Sequence, residues 1–347
     1  MRTLIRARTV MLAVAVSLVG GLAASVAGQM APGAPGQPPS SAGLVIKGKA
    51  PVSNDVLKVT LPKPQQAELP NGLRLMVLED RRLPRIAFQI IIPGAGGYYD
   101  PPAMIGLSSY TAQMMREGTT TRSSQQISQE LETMSANVTV GSGTSGTFAS
   151  VAGGALTENF PRLFELSADV LLNPSFPAEE WDRLKVRSRT GLIQQRAQPG
   201  FLSAEQFSKV IFGDHPAGRV SPTPATLDAI TRDAMVEFHR TRFVPDYALI
   251  AFAGDISLAE ARTLVEAKLG GWKKSGAPKP TTTQPPTPGP PKVYLVARPN
   301  SVQTSLAVGT QSMVRTDPDY VPLTVANRVL GGKMGRLFRH LRAEKGQ

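Results

Sequence analysis

The sequence predicts an α+β fold: an antiparallel-rich sheet packed by helices, with a further set of elements beyond a linker. Three observations carry this. Strand-like runs come in neighbouring pairs and helix-period segments follow one another, unlike the strict alternation of a doubly wound sheet. The 347 residues are enough for one large or two ordinary domains, and 41% apolar with 18% charged residues suits a buried core. The prolines gather in two segments, one near the N-terminus and one around residue 285, which bound the folded parts.

Taken in order, residues 1–27 read as a secretory signal peptide. Arg2, Arg6 and Arg8 form a basic start, Val10 to Val19 is almost wholly apolar, and Ser25-Val26-Ala27 is a small-x-small cleavage site. Gly20 and Gly21 end the apolar run short of the roughly 18–20 residues that a membrane span needs. The expected location is periplasmic or secreted, the alternative being an uncleaved N-terminal anchor. A transit peptide, being amphipathic, does not suit the unbroken apolar run. No other segment could span a membrane, so the chain is expected not to be an integral membrane protein once the signal is cleaved. Residues 28–55, rich in Ala, Gly, Pro and Ser, read as a disordered tether.

A first domain is expected over 56–275. Leu73–Leu78 and Ile86–Ile92 are strand-like and split by the charged turn Glu79–Arg85. Ile105–Glu117 is helical, because Leu107, Tyr110, Thr111 and Met114 recur at threes and fours. Ser123, with Gln126 three residues on, opens another helix by a capping box. Val138–Val140 and Thr147–Val151 read as strands. Asn159–Leu172 is a helix with Phe160, Leu163, Leu166 and Val170 on one face, and Pro177 starts the helix Ala178–Gln195. Leu249–Phe252 is a buried strand and Leu258–Leu269 the helix after it. A Thr/Pro linker is expected over 276–292. Val293–Val296 and Thr304–Val308 are expected to open the strands of a second domain, 293–347, followed by helices at Tyr320–Leu330 and Arg336–Glu344. That domain lacks a closing strand and is expected to be incomplete.

Composition excludes several chemistries. Without cysteine there is no disulfide, thiolate metal site or Cys nucleophile. The formal charge is +12, falling to +9 without the three signal arginines, but the charges are scattered. The basic face from Arg183 to Arg196 reads as a solvated helix surface, so no nucleic-acid partner is expected. Gly141 to Gly146 satisfies G-x-G-x-x-G, but a strand-like run follows where a dinucleotide site needs a helix, so it reads as a hairpin or edge loop. His215, His239 and His340 are far apart, and no pair has metal-ligand spacing.

The stretch from Gly106 to Thr119 resembles the active-site helix of the pitrilysin/insulinase (inverzincin) family of zinc peptidases, whose frame reads roughly G-L-x-H-x-x-E-H-M-x-x-x-G-T. Gly106, Leu107, Met114, Gly118 and Thr119 keep the frame. The two histidine positions hold Ser109 and Gln113, and the glutamate position holds Ala112. On a helix, i, i+3 and i+4 share a face, so two imidazoles there grip zinc while the carboxylate takes a proton from bound water. Ser, Ala and Gln do neither. Further landmarks are similar to the family's: Leu69-Pro70-Asn71-Gly72, Asp100-Pro101-Pro102, Phe212 to Pro216, Phe238-His239-Arg240, Gly254-Asp255, Leu330-Gly331-Gly332 and Leu341-Arg342.

The resemblance implies a pitrilysin-like (metallohydrolase-like) first domain followed by the start of a related one. It places the third zinc ligand, a glutamate in the family, near Gly191, and no acidic residue lies between Asp182 and Glu205. The family uses zinc, whereas no cofactor is expected here. The resemblance further implies substrate contacts at Arg342, whose family companion Tyr would fall just past Gln347, and along the edge strand at Asn137, Thr139 and Ser142. The implied role is a catalytically inactive subunit that holds extended peptides, partnered by a zinc-bearing homologous subunit. The alternatives are a structural subunit of an envelope or respiratory complex and an active peptidase with a relocated site.

Overall fold

The computed structural model describes residues 62–346 apart from residues 277, 288, 302, 303 and 333. The expected signal peptide and tether lie outside the described residues.

The sheet begins with β1 (Gln65–Glu68), which turns through Leu69–Gly72 into β2 (Arg74–Glu79). β3 (Arg85–Pro93) follows the charged turn, and its burial alternates. Ile86, Phe88, Ile90 and Ile92 are buried, whereas Ala87, Gln89 and Ile91 are partly or fully exposed, the period-2 pattern of a sheet packed on one face. Two 3₁₀ turns, Gly97–Tyr99 and Pro102–Met104, lead into helix α1 (Leu107–Met114). Helix α2 (Ser124–Thr133) starts with the expected box: Gln126 N donates to Ser123 Oγ and Ser123 N to Gln126 Oε1.

The hairpin β4 (Asn137–Ser142) and β5 (Phe148–Leu156) comes next, then α3 (Phe160–Leu172) and the long α4 (Ala178–Arg196). The loop that satisfies G-x-G-x-x-G is the turn of this hairpin, as expected. Helices α5 (Pro199–Phe212), α6 (Pro224–Ala229) and α7 (Arg232–Arg242) precede β6 (Leu249–Gly254) and α8 (Leu258–Leu269).

The strand order is β1-β2-β6-β3-β5-β4. Among the described residues β2 and β6 run parallel, and the other pairs are antiparallel. α3 packs on β5 and α8 on β2. Between sheet and helices lies an aromatic cluster in which Phe88 meets Phe164 edge-on at 5.4 Å and Phe252 contacts Phe164 at 5.6 Å. Such edge-to-face pairs add to the burial of the rings themselves. The expected α+β class with an antiparallel-rich sheet therefore holds.

Beyond α8 the structure departs from expectation. Among the described residues, no strand forms at Val293–Val296 or Thr304–Val308. Val293, Leu295, Leu306 and Val308 are 81–98% exposed. A strand is stabilised by a paired neighbour and a buried face, and these runs find neither. The later helices do form: α9 (Tyr320–Gly331), then the short α10 (Arg336–Phe338) continuing into a π-helical turn, Arg339–Glu344.

Candidate functional site

α1 is held by what precedes it. The hairpin loop lies on the Gly94–Gly97 segment: Gly97 N donates to Gly143 O (3.1 Å) and Tyr98 N to Gly146 O (2.9 Å). The approach is so close that a Cβ on Gly96 would sit 2.0 Å from Gly146 O. The chain then reaches Asp100, 3% exposed, whose carboxylate accepts from Gly106 N (2.8 Å), Ser108 N (2.9 Å) and Ser108 Oγ (3.4 Å). Asp100 thus satisfies the free amides at the start of α1, which has no side-chain cap of its own. Gly106, at φ +104°, is the residue that allows this entry. Arg219 Nη1 fastens the same turn from a distant segment, donating to the carbonyls of Gly97 (2.8 Å), Tyr98 (3.3 Å) and Asp100 (2.9 Å). Burial pushes the Asp100 carboxyl up to about 6, against the hydrogen bonds from Ser108 and Gly106 and the charge of Arg219.

The face so presented is chemically quiet. Gln113 Nε2 donates to Ser109 O (3.3 Å) and approaches Ser109 Oγ (3.4 Å), so the two positions one turn apart engage each other. Ala112 between them is fully buried. α4 runs beside α1: Tyr110 meets Trp181 edge-on at 5.6 Å, and burial pushes the Tyr110 phenol up while neighbouring Ser188 offsets part of that. Gly191, one turn past Ser188, is exposed, with nothing within 4 Å of a Cβ placed there. A neutral hydroxyl, a neutral amide and a residue without a side chain do not fit a zinc ion. Among the described residues no group of three or more His, Asp or Glu stands close enough to hold a metal.

The histidines are engaged elsewhere. His215 Nδ1 accepts from Ala217 N (3.2 Å), while its Nε2 lies 3.0 Å from Thr283 Oγ1. His239 Nε2 lies 2.8 Å from the Leu171 carbonyl, and His340 Nδ1 lies 2.9 Å from Glu344.

The strand with Asn137, Thr139 and Ser142 is the terminal strand of the sheet, next to α1, which packs against it. Among the described residues β4 pairs only with β5, so alternate backbone amides and carbonyls along it face outward. Thr139 Oγ1 and Ser142 Oγ donate to the Ala152 and Ala95 carbonyls, both at 3.4 Å. Asn137 and Thr139 are exposed beside the outward main-chain groups. Arg342 is exposed in the π-helical turn with its guanidinium 6.0 Å from the Phe338 ring centre. Asp100 was legible only as a landmark before the helix, and Arg219 carries no local signal at all.

Residues 77–216 match the family model described as "Insulinase (Peptidase family M16)", and residues 229–347 the model described as "Peptidase M16 inactive domain". The chain is 26% identical over 292 residues to an uncharacterized zinc protease of Streptomyces coelicolor, covering 81% of this chain and 62% of that one. It is 26% identical over 293 residues to one of Mycobacterium tuberculosis, covering 82% and 65%. The chain thus spans less than two thirds of the length of these relatives. A crystal structure of a peptidase M16 inactive domain from Pseudomonas fluorescens superposes with a TM-score of 0.69 at 24% identity, over 82% of this chain and 68% of that one, a likeness of fold.

Proposed function

The chain belongs to the insulinase (peptidase M16) family, and from that premise we propose that it is a zinc-free, non-catalytic subunit that holds extended peptide for a zinc-bearing homologue. The observation that carries the reading is the Gln113–Ser109 contact beside Ala112, in the frame where the family keeps two histidines and a glutamate. That face has no metal donor of suitable chemistry and no base to take a proton from water. On this reading the relatives' name, zinc protease, does not carry over to this chain.

What the site retains is a means of binding. An extended peptide adds to the outer edge of β4 through main-chain hydrogen bonds, which is β-augmentation. Arg342 joins the peptide's carbonyls when the partner is present. The chain is exported, and its mature form begins near Gly28, which N-terminal sequencing of periplasmic protein checks. No helix among the described residues is long and apolar enough to cross a membrane.

The decisive experiment has two arms. The purified chain, dialysed and analysed for metal, is expected to hold no stoichiometric zinc and to cut no fluorogenic peptide. Mixed with a zinc-bearing homologue from the same cell, it is expected to form a complex and raise that partner's kcat/KM. One zinc per chain with chelator-sensitive cleavage would overturn the first half; unchanged partner activity would overturn the second.

A further inference from the structure

The Thr/Pro linker is gripped at three of its residues, Pro280, Thr283 and Pro286. The Pro280 ring lies so close to Gly94 that a Cβ there would sit 2.6 Å from Pro280 Cγ. Thr283 N donates to Tyr98 Oη at 2.8 Å, and Thr283 Oγ1 lies 3.0 Å from both Tyr98 Oη and His215 Nε2. Pro286 is joined to the end of α5 through Gln311, whose Nε2 donates to Pro286 O (2.8 Å) and to Ile211 O (2.9 Å). The grips recur at every third residue. Three residues make one turn of polyproline II, the conformation that Pro-rich segments favour, so these residues share one side of an extended strap.

Thr283 is the best-held point. Its amide, its hydroxyl and its carbonyl are all engaged by two side chains distant in sequence. His215 Nδ1 accepts from Ala217 N, so the ring's proton is on Nε2, which donates to Thr283 at the carbonyl (3.2 Å) or the hydroxyl (3.0 Å). Tyr98 meets His215 edge-on at 5.7 Å. Tyr98 is itself rigidly placed, being 9% exposed, with its amide on the hairpin loop at Gly146 and its carbonyl accepting from Arg219. The residue that catches the linker thus belongs to the turn that leads into α1. Pro280 and Pro285 are half-buried, whereas Thr283 and Gln284 are exposed, so the strap lies on the surface and can lift without unpacking the core.

We propose that residues 280–286 form a releasable strap, with Thr283 as its catch on Tyr98 and His215, that ties the elements beyond the linker to the turn feeding α1. Those elements move away from the first sheet only when the catch opens. The strap stands on its own contacts and does not rest on the peptide-holding reading.

The chain has no cysteine, so one introduced thiol takes one nitroxide label. The test places that label on the whole chain at Gln284→Cys, beside the catch, and in a separate sample at Ser128→Cys, exposed on α2. The electron paramagnetic resonance line shape is expected to show a restrained label at 284. Tyr98→Phe, which keeps the ring and removes the hydroxyl, is expected to speed its motion roughly threefold or more and leave the label at 128 unchanged. Thr283→Ala is expected to do the same, and because it lies in the exposed linker its result stands even if the tyrosine variant fails to fold. A label at 284 that already moves freely in the parent chain, or one that stays restrained in Thr283→Ala, would overturn the proposal.

Discussion

Asp100 and Asp169 are two carboxylates that their surroundings push in opposite directions. Burial raises Asp100 from the ordinary 3.8 to about 6. The folded chain therefore keeps a proton that the unfolded chain has released, and stability falls as pH rises from about 4 to about 6. At about 1.4 kcal/mol for each unit between the two values, the loss is roughly 3 kcal/mol. Asp100→Asn is expected to flatten that segment of a stability-versus-pH curve from urea unfolding. An unchanged slope would mean that Asp100 is not the group responsible. For Asp169, burial would raise the carboxyl, but hydrogen bonds from Asn173, Thr119, Thr121 and Arg122 outweigh it and hold it low. Its contribution is present above the ordinary value and is lost as pH falls through the lower folded value. Those partners close tightly, Thr119 Oγ1 at 2.7 Å and Arg122 Nη1 at 2.8 Å. Asp169→Ala leaves them unmatched and is expected to cost roughly 2–4 kcal/mol at pH 7, read from the same unfolding curves. The family frame at Gly118-Thr119 thus has a structural reason in this chain, because Thr119 anchors the exit of α1. The residue types in the family's ligand frame could be read from the sequence alone, since Ser, Ala and Gln are neither imidazoles nor carboxylates wherever they lie. Arg219 could not, because its three acceptors come from a turn distant in sequence.

The helices show which local signals suffice. The capping boxes at Ser123 and Ser257 and the 3.6-residue period of α3 and α8 specify those helices within a few residues, and α8 forms over the expected Leu258–Leu269. Ser123→Ala is expected to lower stability by about 1 kcal/mol, measured by thermal or urea unfolding. Strands are a different matter, because a strand needs a partner. Thr304–Val308 has strand composition and forms none, whereas Gln65–Glu68 has no apolar alternation yet pairs with β2 because the Leu69–Gly72 turn returns it there. Thr223 and Thr231 likewise cap α6 and α7, each accepting from the amide three residues on. The entry to α1 is tightly constrained. A methyl on Gly106 would face Pro222 Cγ at 2.6 Å from a backbone at φ +104°. Gly106→Ala is expected to cost roughly 1–3 kcal/mol and to loosen α1, seen as faster amide exchange at Tyr110.

At the scale of the whole molecule, protection is uneven. The central strands β2, β6 and β3 carry fully buried residues such as Leu75, Ile250 and Ile90, while Val293, Leu295, Leu306 and Val308 are almost wholly exposed. Hydrogen exchange of the isolated chain is expected to be slowest at 74–79, 85–93 and 249–254 and fastest at 293–308. Protection of 293–308 would show that those runs pair after all. The central place of β6 has a consequence for how the molecule is made. β6 fills the slot between β2 and β3, with Arg74 beside Leu249 and Ile90 opposite Ile250. A ribosome delivers β1 to β5 long before it delivers β6, so the nascent chain carries two unsatisfied strand edges at the middle of its future sheet. Pairings so distant in sequence form slowly, and open edges invite association in the meantime. The last strand of the sheet to be synthesised is thus the one that closes it, and the interval before its arrival is when the growing chain most needs a chaperone.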